Sequence, residues 1–314
     1  MNKQYSPNSS CLSCGGSLSI SEERIFDTRF GIDALYSIGL CPACGLECTA
    51  PVPDEKELNH LYEKYYNFGG ESNTAYTRLR EKFLFSVFYR FWLFLDGDIT
   101  FYSMKGRGRL LDVGCNEGRG LQFYKKNGFT VEGLEPNEKA AEVARSLGFI
   151  VYSKPLEELQ KNDAYDIVVL SNVLEHSLKT KDMLYHLKRI LKPGGGILIS
   201  CPNSKSWMRS LFGKYWINWH VPFHIVHFSA KTLTKTLKDA GFKDIIIKNA
   251  TPALWIAHSL LARLFAKQGK VTRQLRSPFI VAPLILLIRI FFFPLLCLGN
   301  KIGRGDCLIV SAKK

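Results

Sequence analysis

The sequence predicts an α/β protein built on a doubly wound parallel sheet. Two observations carry this. From Arg109 onward, short apolar runs of strand length alternate with amphipathic runs of helix length. A Gly-rich turn, "GCNEGRG", follows the first of those strands, where doubly wound sheets place their ligands. The chain has 314 residues, 46% hydrophobic and 22% charged, so it is long enough for a sizeable core and more than one domain.

In chain order, five of the nine cysteines fall in the first 48 residues, as "CLSC" (Cys11, Cys14) and "CPACGLEC" (Cys41, Cys44, Cys48). Two Cys-x-x-Cys pairs, each followed by Gly, put four thiolates on two tight knuckles. That suits a structural tetrahedral Zn²⁺ held by Cys11, Cys14, Cys41 and Cys44, with Cys48 surplus. A redox pair normally needs only one Cys-x-x-Cys beside a βαβ unit. Between the pairs, "RIFDTRF" and "ALYSIGL" are expected as strands of a hairpin. Residues 1–53 therefore read as a zinc-ribbon-like domain, and 54–108 as a helical linker or lid. "PDEKELNHLYEKYY" starts a helix with acids in its first turn. A second, aromatic-rich helix is expected over Thr74 to Leu95, buried by the main domain or by a membrane.

Residues 109–314 form the main domain. Its strands are "RLLDVGC", "TVEGLEP", "FIVY", "YDIVVLS" and "GGGILISC". The helices "LQFYKKNG", "NEKAAEVARSLG" and "TKDMLYHLKRIL" lie between them. "FKDIIIKN" and "GDCLIVSA" are expected as strands 6 and 7, with an apolar insertion, 251–304, between them. Within it, Phe279 to Leu298 holds one charge, Arg289, and is long enough to be a membrane span. A single crossing would leave the last strand on the wrong side of the membrane. The segment therefore reads as an interfacial or shallow re-entrant helical hairpin, with bends favoured at Pro283 and Pro294. A buried helical layer or a dimer interface is the alternative.

The net charge is +14, and from Thr251 to Lys314 ten Lys/Arg face one acid, Asp306. Basic and apolar character in one segment points to an anionic membrane surface. No nucleic-acid-binding motif accompanies the charge. "MNKQYSPNSS" has no apolar signal region, so the expected location is the cytoplasm, at the inner face of the cytoplasmic membrane.

The turn after the first core strand reads Asp112-Val-Gly114-Cys-Asn116-Glu-Gly118-Arg-Gly120. It fails the dinucleotide fingerprint, and it opens with an acid two residues before the first Gly, which would repel a pyrophosphate. Such an acid suits an amine or a sulfonium. Glu135 ends strand 2, where an acid accepts bonds from ribose hydroxyls, and Pro136 follows it. Positive charge and a ribose without phosphate describe S-adenosylmethionine.

"LLDVGCNEGRGL", "GLEPNEKAAEVA", "YDIVVLSNVLEH" and "LKRILKPGGGILISCPN" resemble, in order, the motifs of class I S-adenosylmethionine-dependent methyltransferases. "WHVPFHIVHFSAKTLTKTLKDAGF" resembles the trailing block of the subgroup related to ubiquinone and sugar methyltransferases. The cysteine knuckles are similar, more loosely, to those fused to sugar C-methyltransferases. The resemblance implies a seven-stranded Rossmann-like sheet with an antiparallel last strand. It implies cofactor contacts from Asp112, Gly114, Asn116, Gly118, Glu135, Pro136, Leu156, Ser171 and Asn172. Asn116 stands where the family turn has its second Gly; Asn tolerates positive φ, so the turn survives.

A methyl acceptor needs a base, and imidazole titrates near neutrality. His176 and His224 lead, with His220 and His227 beside them in sequence. A metal site made of His220, His224 and His227 lacks an acid or cysteine nearby in sequence to complete it. The expected acceptor is a sugar, a glycan precursor or a lipid-linked saccharide at the membrane face. A membrane quinone is the second expectation. An inactive cofactor-binding module is a third, and the intact Asp112 and Glu135 argue against it.

Overall fold

In the computed structural model, which describes residues 10–66, 82–83 and 86–314, the strands form two sheets. The first is antiparallel. It contains β1 (Ser19–Phe26), β2 (Leu35–Leu40), β3 (Glu47–Ala50) and, at its edge, β9 (Val226–His227). The expected hairpin is present but shifted. β1 starts before "RIFDTRF" and stops at Phe26, because Asp27 turns the chain. Its carboxylate accepts the backbone N–H groups of Arg29, Phe30 and Ile32 at 2.7–3.0 Å. β9 comes from far along the chain, with Glu47 opposite His227 and Cys48 opposite Val226.

The helical segment begins with α1 (Glu55–Tyr65), capped by the Asp54 carboxylate on the Glu57 N–H. The helix expected over Thr74 to Leu95 is seen as α2 (Val87–Asp96); its 74–81 portion lies outside the described residues.

The second sheet has seven strands. β4 (Arg109–Val113), β5 (Thr130–Leu134), β6 (Ile150–Tyr152), β7 (Tyr165–Ser171) and β8 (Leu191–Pro202) are joined through α3 (Arg119–Lys126), α4 (Glu138–Ser146) and α5 (Thr180–Ile190). α6 (Trp207–Phe212), α7 (Ala230–Asp239) and β10 (Lys243–Ala250) follow. A hairpin of α8 (Ala253–Phe265) and α9 (Pro278–Lys301) leads to β11 (Cys307–Lys313). The strand order is β10-β11-β8-β7-β4-β5-β6. Pairings β8-β7-β4-β5-β6 are parallel, and β11 runs antiparallel to both β8 and β10. This is the expected seven-stranded fold with its antiparallel last strand. Leu110, Leu111, Val168, Val169, Leu170, Ile197 and Ile199 are fully buried, as strands covered on both faces must be.

Pro283 and Pro294 both lie inside α9, which continues as one helix through them, so neither ends it. The chain reverses between α8 and α9. Each proline leaves the carbonyl four residues back, of Phe279 and Ile290, without its helical bond, and both residues are exposed.

Candidate active site

The order β7-β4-β5 makes the C-terminal end of β4 the point where connections diverge to either side. The turn there is tight. Gly114 and Cys115 donate to the Leu134 carbonyl at 2.8 and 3.2 Å, and Gly118 donates to the Cys115 carbonyl at 3.0 Å. Gly114, Asn116 and Gly118 all have positive φ, of 72°, 49° and 79°. At Gly118 a Cβ would come within 2.8 Å of the Ala144 Cβ, so α3 and α4 leave no room for a side chain.

Glu135 locks this turn. Its Oε2 accepts the Asn116 N–H at 3.0 Å and its Oε1 accepts the Asn137 N–H at 2.9 Å. Asp112 is buried in β4, and a Cβ on Gly120 would lie 2.6 Å from its Oδ2. Burial first, then the nearby Glu135 charge, pushes the Asp112 carboxyl up to about 8. Burial also raises Glu135. A cationic ligand beside these two acids would favour their ionised forms. Pro136 is exposed beside Glu135, and Leu156 is buried at the start of a 3₁₀ turn after β6. Ser171 spends its hydroxyl on the Ile99 carbonyl at 3.1 Å. Asn172, at φ 54°, keeps a buried Oδ1 without a partner.

The other wall is assembled from distant segments. His176 Nδ1 lies 2.8 Å from the Tyr62 hydroxyl and 3.0 Å from the Phe223 carbonyl. A carbonyl can only accept, so it favours hydrogen on Nδ1 and leaves the Nε2 lone pair free. Burial holds this imidazole down at about 4, so it is neutral at pH 7. His220 Nε2 lies 2.6 Å from the Tyr66 hydroxyl. His224 Nδ1 lies 2.8 Å from the Asn218 carbonyl, and burial lowers both His220 and His224. His176 and His224 meet edge to face at 4.7 Å. Phe223 packs against both Tyr62 and Tyr66, at 5.1 and 5.0 Å between centroids.

Metal-ligand geometry occurs twice among the described residues. Cys11, Cys14, Cys41 and Cys44 bring their Sγ atoms within 4.8 Å of one another. Zinc–sulfur bonds of about 2.3 Å place tetrahedral sulfurs roughly 3.8 Å apart, so the donor set fits Zn²⁺. The two knuckles repeat one turn. Cys11 and Cys41 donate to the carbonyls of Gly16 and Leu46, and accept from Gly15 and Gly45. Cys48 is buried in β3, outside the group of four. The second group is Glu175, His176 and His224, also within 4.8 Å. It differs from the trio weighed from sequence. His227 turns away to the Thr49 hydroxyl at 2.9 Å, and the acid that completes a ligand set is Glu175. Glu175 is buried with neither oxygen hydrogen-bonded, and burial pushes it up to about 8.

Sequence reasoning missed Tyr62, Tyr66 and Phe223. The tyrosines lie one helical turn apart on "LYEKYY", a spacing that marks a shared face. Nothing in the sequence says which segment that face meets.

A family model described as "Methyltransferase domain" matches residues 79–246, just over half of the chain. An uncharacterised protein of Methanocaldococcus jannaschii is 30% identical over 166 residues, covering 52% of this chain and 77% of its own length. A ubiquinone biosynthesis O-methyltransferase of Bordetella avium is 32% identical over 125 residues, covering 37% of this chain. The alignment spans about half of that relative's length, 52%. Among solved structures, an S-adenosylmethionine-dependent methyltransferase from Archaeoglobus fulgidus aligns at TM-score 0.47 and 22% identity, over 77% of this chain and 100% of that one. The 1,6-didemethyltoxoflavin-N1-methyltransferase of Burkholderia thailandensis, with S-adenosylhomocysteine bound, aligns at TM-score 0.49 and 14% identity, over 94% and 99%. With the strand order and the turn after β4, the family match gives the assignment: the chain belongs to the methyltransferase domain family, in its class I S-adenosylmethionine-dependent form.

Proposed function

We propose that the protein methylates a hydroxyl on a ring-bearing, lipid-like acceptor of the quinone-precursor type, at the cytosolic face of the membrane. The observation that carries this is the cluster at His176, where the Tyr62 hydroxyl and the Phe223 carbonyl meet an imidazole kept neutral by burial, and the Phe223 ring packs on Tyr62 and Tyr66. Aromatic walls suit a flat acceptor ring. The names of the ubiquinone O-methyltransferase relatives agree with that class.

When bound, S-adenosylmethionine supplies the electrophilic methyl group. Glu135 would hold the ribose, the backbone at Gly114, Asn116 and Gly118 would admit the ligand closely, and Asp112 would answer the positive charge of the methionine portion. His176 Nε2 takes the acceptor's hydroxyl proton, while the Phe223 carbonyl fixes the ring. Most of the rate comes from alignment of acceptor oxygen and methyl group. The four cysteines would hold a structural Zn²⁺ and would take no part in the reaction, since four thiolates leave no open coordination position. The long apolar α9 brings the protein to the membrane where such acceptors reside.

A lipid-linked saccharide is the second reading, supported by the likeness of the cysteine knuckles to those of sugar methyltransferases. Methyl transfer from labelled cofactor to a prenylated catechol and to a lipid-linked sugar separates the two. Transfer to the catechol, lost in His176→Gln with cofactor binding retained, is the expected result. No heat of binding with millimolar cofactor would instead leave an inactive module.

A further inference from the structure

We propose that α2 and α9 form one membrane-docking surface for an anionic bilayer, held as a rigid unit by Asp96 and Arg289. The proposal deepens the membrane-face reading above and rests on it.

The apolar stretch of α9 contains one charge, and its place is informative. Arg289 is only 5% exposed and pairs with Asp96, the last residue of α2. Its Nε donates to Asp96 Oδ1 at 2.8 Å, and its Nη2 donates to the Thr251 carbonyl at 2.7 Å. Asp96 Oδ1 also accepts the Ala253 N–H, the first of α8. One largely covered carboxylate, 13% exposed, therefore joins the end of α2, the start of α8 and the middle of α9.

Around this clamp, both helices turn large apolar side chains outward. On α2 these are Val87, Phe88, Phe91 and Phe94, spaced as one helical stripe, with Val87 81% and Phe94 83% exposed. On α9, Phe279 is 89% exposed, and Phe291, Ile290 and Leu295 are also outward. Soluble proteins rarely turn so many large apolar side chains outward on two linked helices without a partner.

Charge selects the partner. Arg263, Lys267, Lys270, Arg273, Arg276, Lys301 and Arg304 are all exposed around the hairpin. Between Thr251 and Gly305 there is no Asp or Glu. Apolar side chains beside uncompensated cations match an anionic lipid surface.

Packing excludes a simple crossing. α9 is pinned to the body by buried Ile288, Leu296 and Gly299, and a Cβ on Gly299 would meet the Trp207 ring at 3.2 Å. Both ends of the hairpin join strands that pair with each other, Ala250 opposite Cys307. The helix is thus fixed with one side on the protein and one side outward, the posture of an in-plane anchor.

The test is flotation of the full chain with phosphatidylcholine vesicles, with and without phosphatidylglycerol. The variants are F88S/F94S on α2 and F291S/L295S on α9, with V87S/F91S as a second α2 pair should the first fail to fold. Cofactor calorimetry on each variant reports folding and the methyltransferase reading independently. The expected result is stronger flotation of wild type on the anionic vesicles, and a loss of about tenfold or more in vesicle affinity for each pair of changes. An α2 variant that floats like wild type, while the α9 variant does not, overturns the joint surface and leaves membrane association standing. Wild type that ignores both vesicles overturns the surface and the membrane location together. A self-associated wild type that the substitutions convert to monomer without changing flotation overturns it in favour of a second copy of the chain.

Discussion

At the cofactor end, Asp112, Gly114, Asn116, Gly118 and Glu135 come from one βαβ stretch. The proposed acceptor wall draws Tyr62 from α1 and Tyr66 from its C-cap, Glu175 and His176 from the turn after β7, and His220, Phe223 and His224 from a loop before β9. The first arrangement follows from local spacing, since consecutive residues of a strand and turn can hardly land elsewhere. The second depends on the N-terminal sheet being docked. Thr49 in β3 donates its hydroxyl to the His224 carbonyl at 2.6 Å and meets His227 Nε2 at 2.9 Å. The cofactor end should therefore survive insults that dismantle the acceptor wall.

The largest expected effect tests that contrast. Cys14→Ser should reduce metal content from about one zinc per chain to none. Structural zinc sites supply on the order of 10 kcal/mol of folding free energy, so the N-terminal sheet should loosen. Metal analysis and protease mapping check this. Cofactor binding should persist, and its loss would break the comparison. Zinc retained by Cys44→Ser but lost by Cys48→Ser would reassign the ligands.

Next is the clamp. Asp96→Ala leaves Arg289 buried and unpaired, which should cost about 3–5 kcal/mol in denaturant unfolding. Replacing both partners, D96L with R289L, should recover most of it.

Acid should act through buried histidines, His176 at the site and His227 in β9. His176 and His227 are held down at about 4 and about 3, mainly by burial. The unfolded chain binds their protons from about pH 6.5 downward. Between pH 6.5 and 4 these two sites therefore lower stability as pH falls, each by up to roughly 3 kcal/mol at pH 4. Asp112 and Glu175, each raised to about 8 by burial, keep protons that the unfolded chain loses above about pH 4, so they lower stability as pH rises from about 4 to 8. Below pH 6.5 the two pairs offset one another, and from pH 6.5 to 8 the acids act alone, so the thermal midpoint should fall through that upper window. In D112N/E175Q, without added metal or cofactor, the offset is gone and the midpoint should fall from pH 6.5 to 4; a midpoint that does not would count against buried neutral histidines.

Glu135→Ala should weaken cofactor binding by about 1.5–3 kcal/mol in calorimetry. The smallest effect belongs to Asn116→Gly. It relieves a positive φ at the loss of the Asn116 side-chain bond to the Glu117 N–H, 2.9 Å, so stability should move by less than about 1 kcal/mol.

Legibility in the sequence follows the same division. The alternation of strands and helices, the turn with Asn116 at positive φ and the two cysteine knuckles were readable because each is set by spacing within a short stretch. β1 ended early because a side chain, Asp27, captured three N–H groups. The partner of the Tyr62 and Tyr66 face was hidden, because contacts across more than a hundred residues leave no periodic trace. Arg289 read as an interruption of an apolar run, and its partner Asp96 lies in another segment.

β11 sits between β8 and β10, yet it is made after both. During synthesis the edge of β8 waits for about a hundred further residues, including the whole apolar hairpin. Contacts of such sequence separation are slow to close, and open strand edges invite wrong pairing meanwhile. Folding of this sheet is therefore timed by the ribosome, with the greasy hairpin emerging before the strand that locks its base. A chain released while the hairpin is still waiting presents an open β-edge and a bare apolar helix together, which is the form a holdase chaperone would bind.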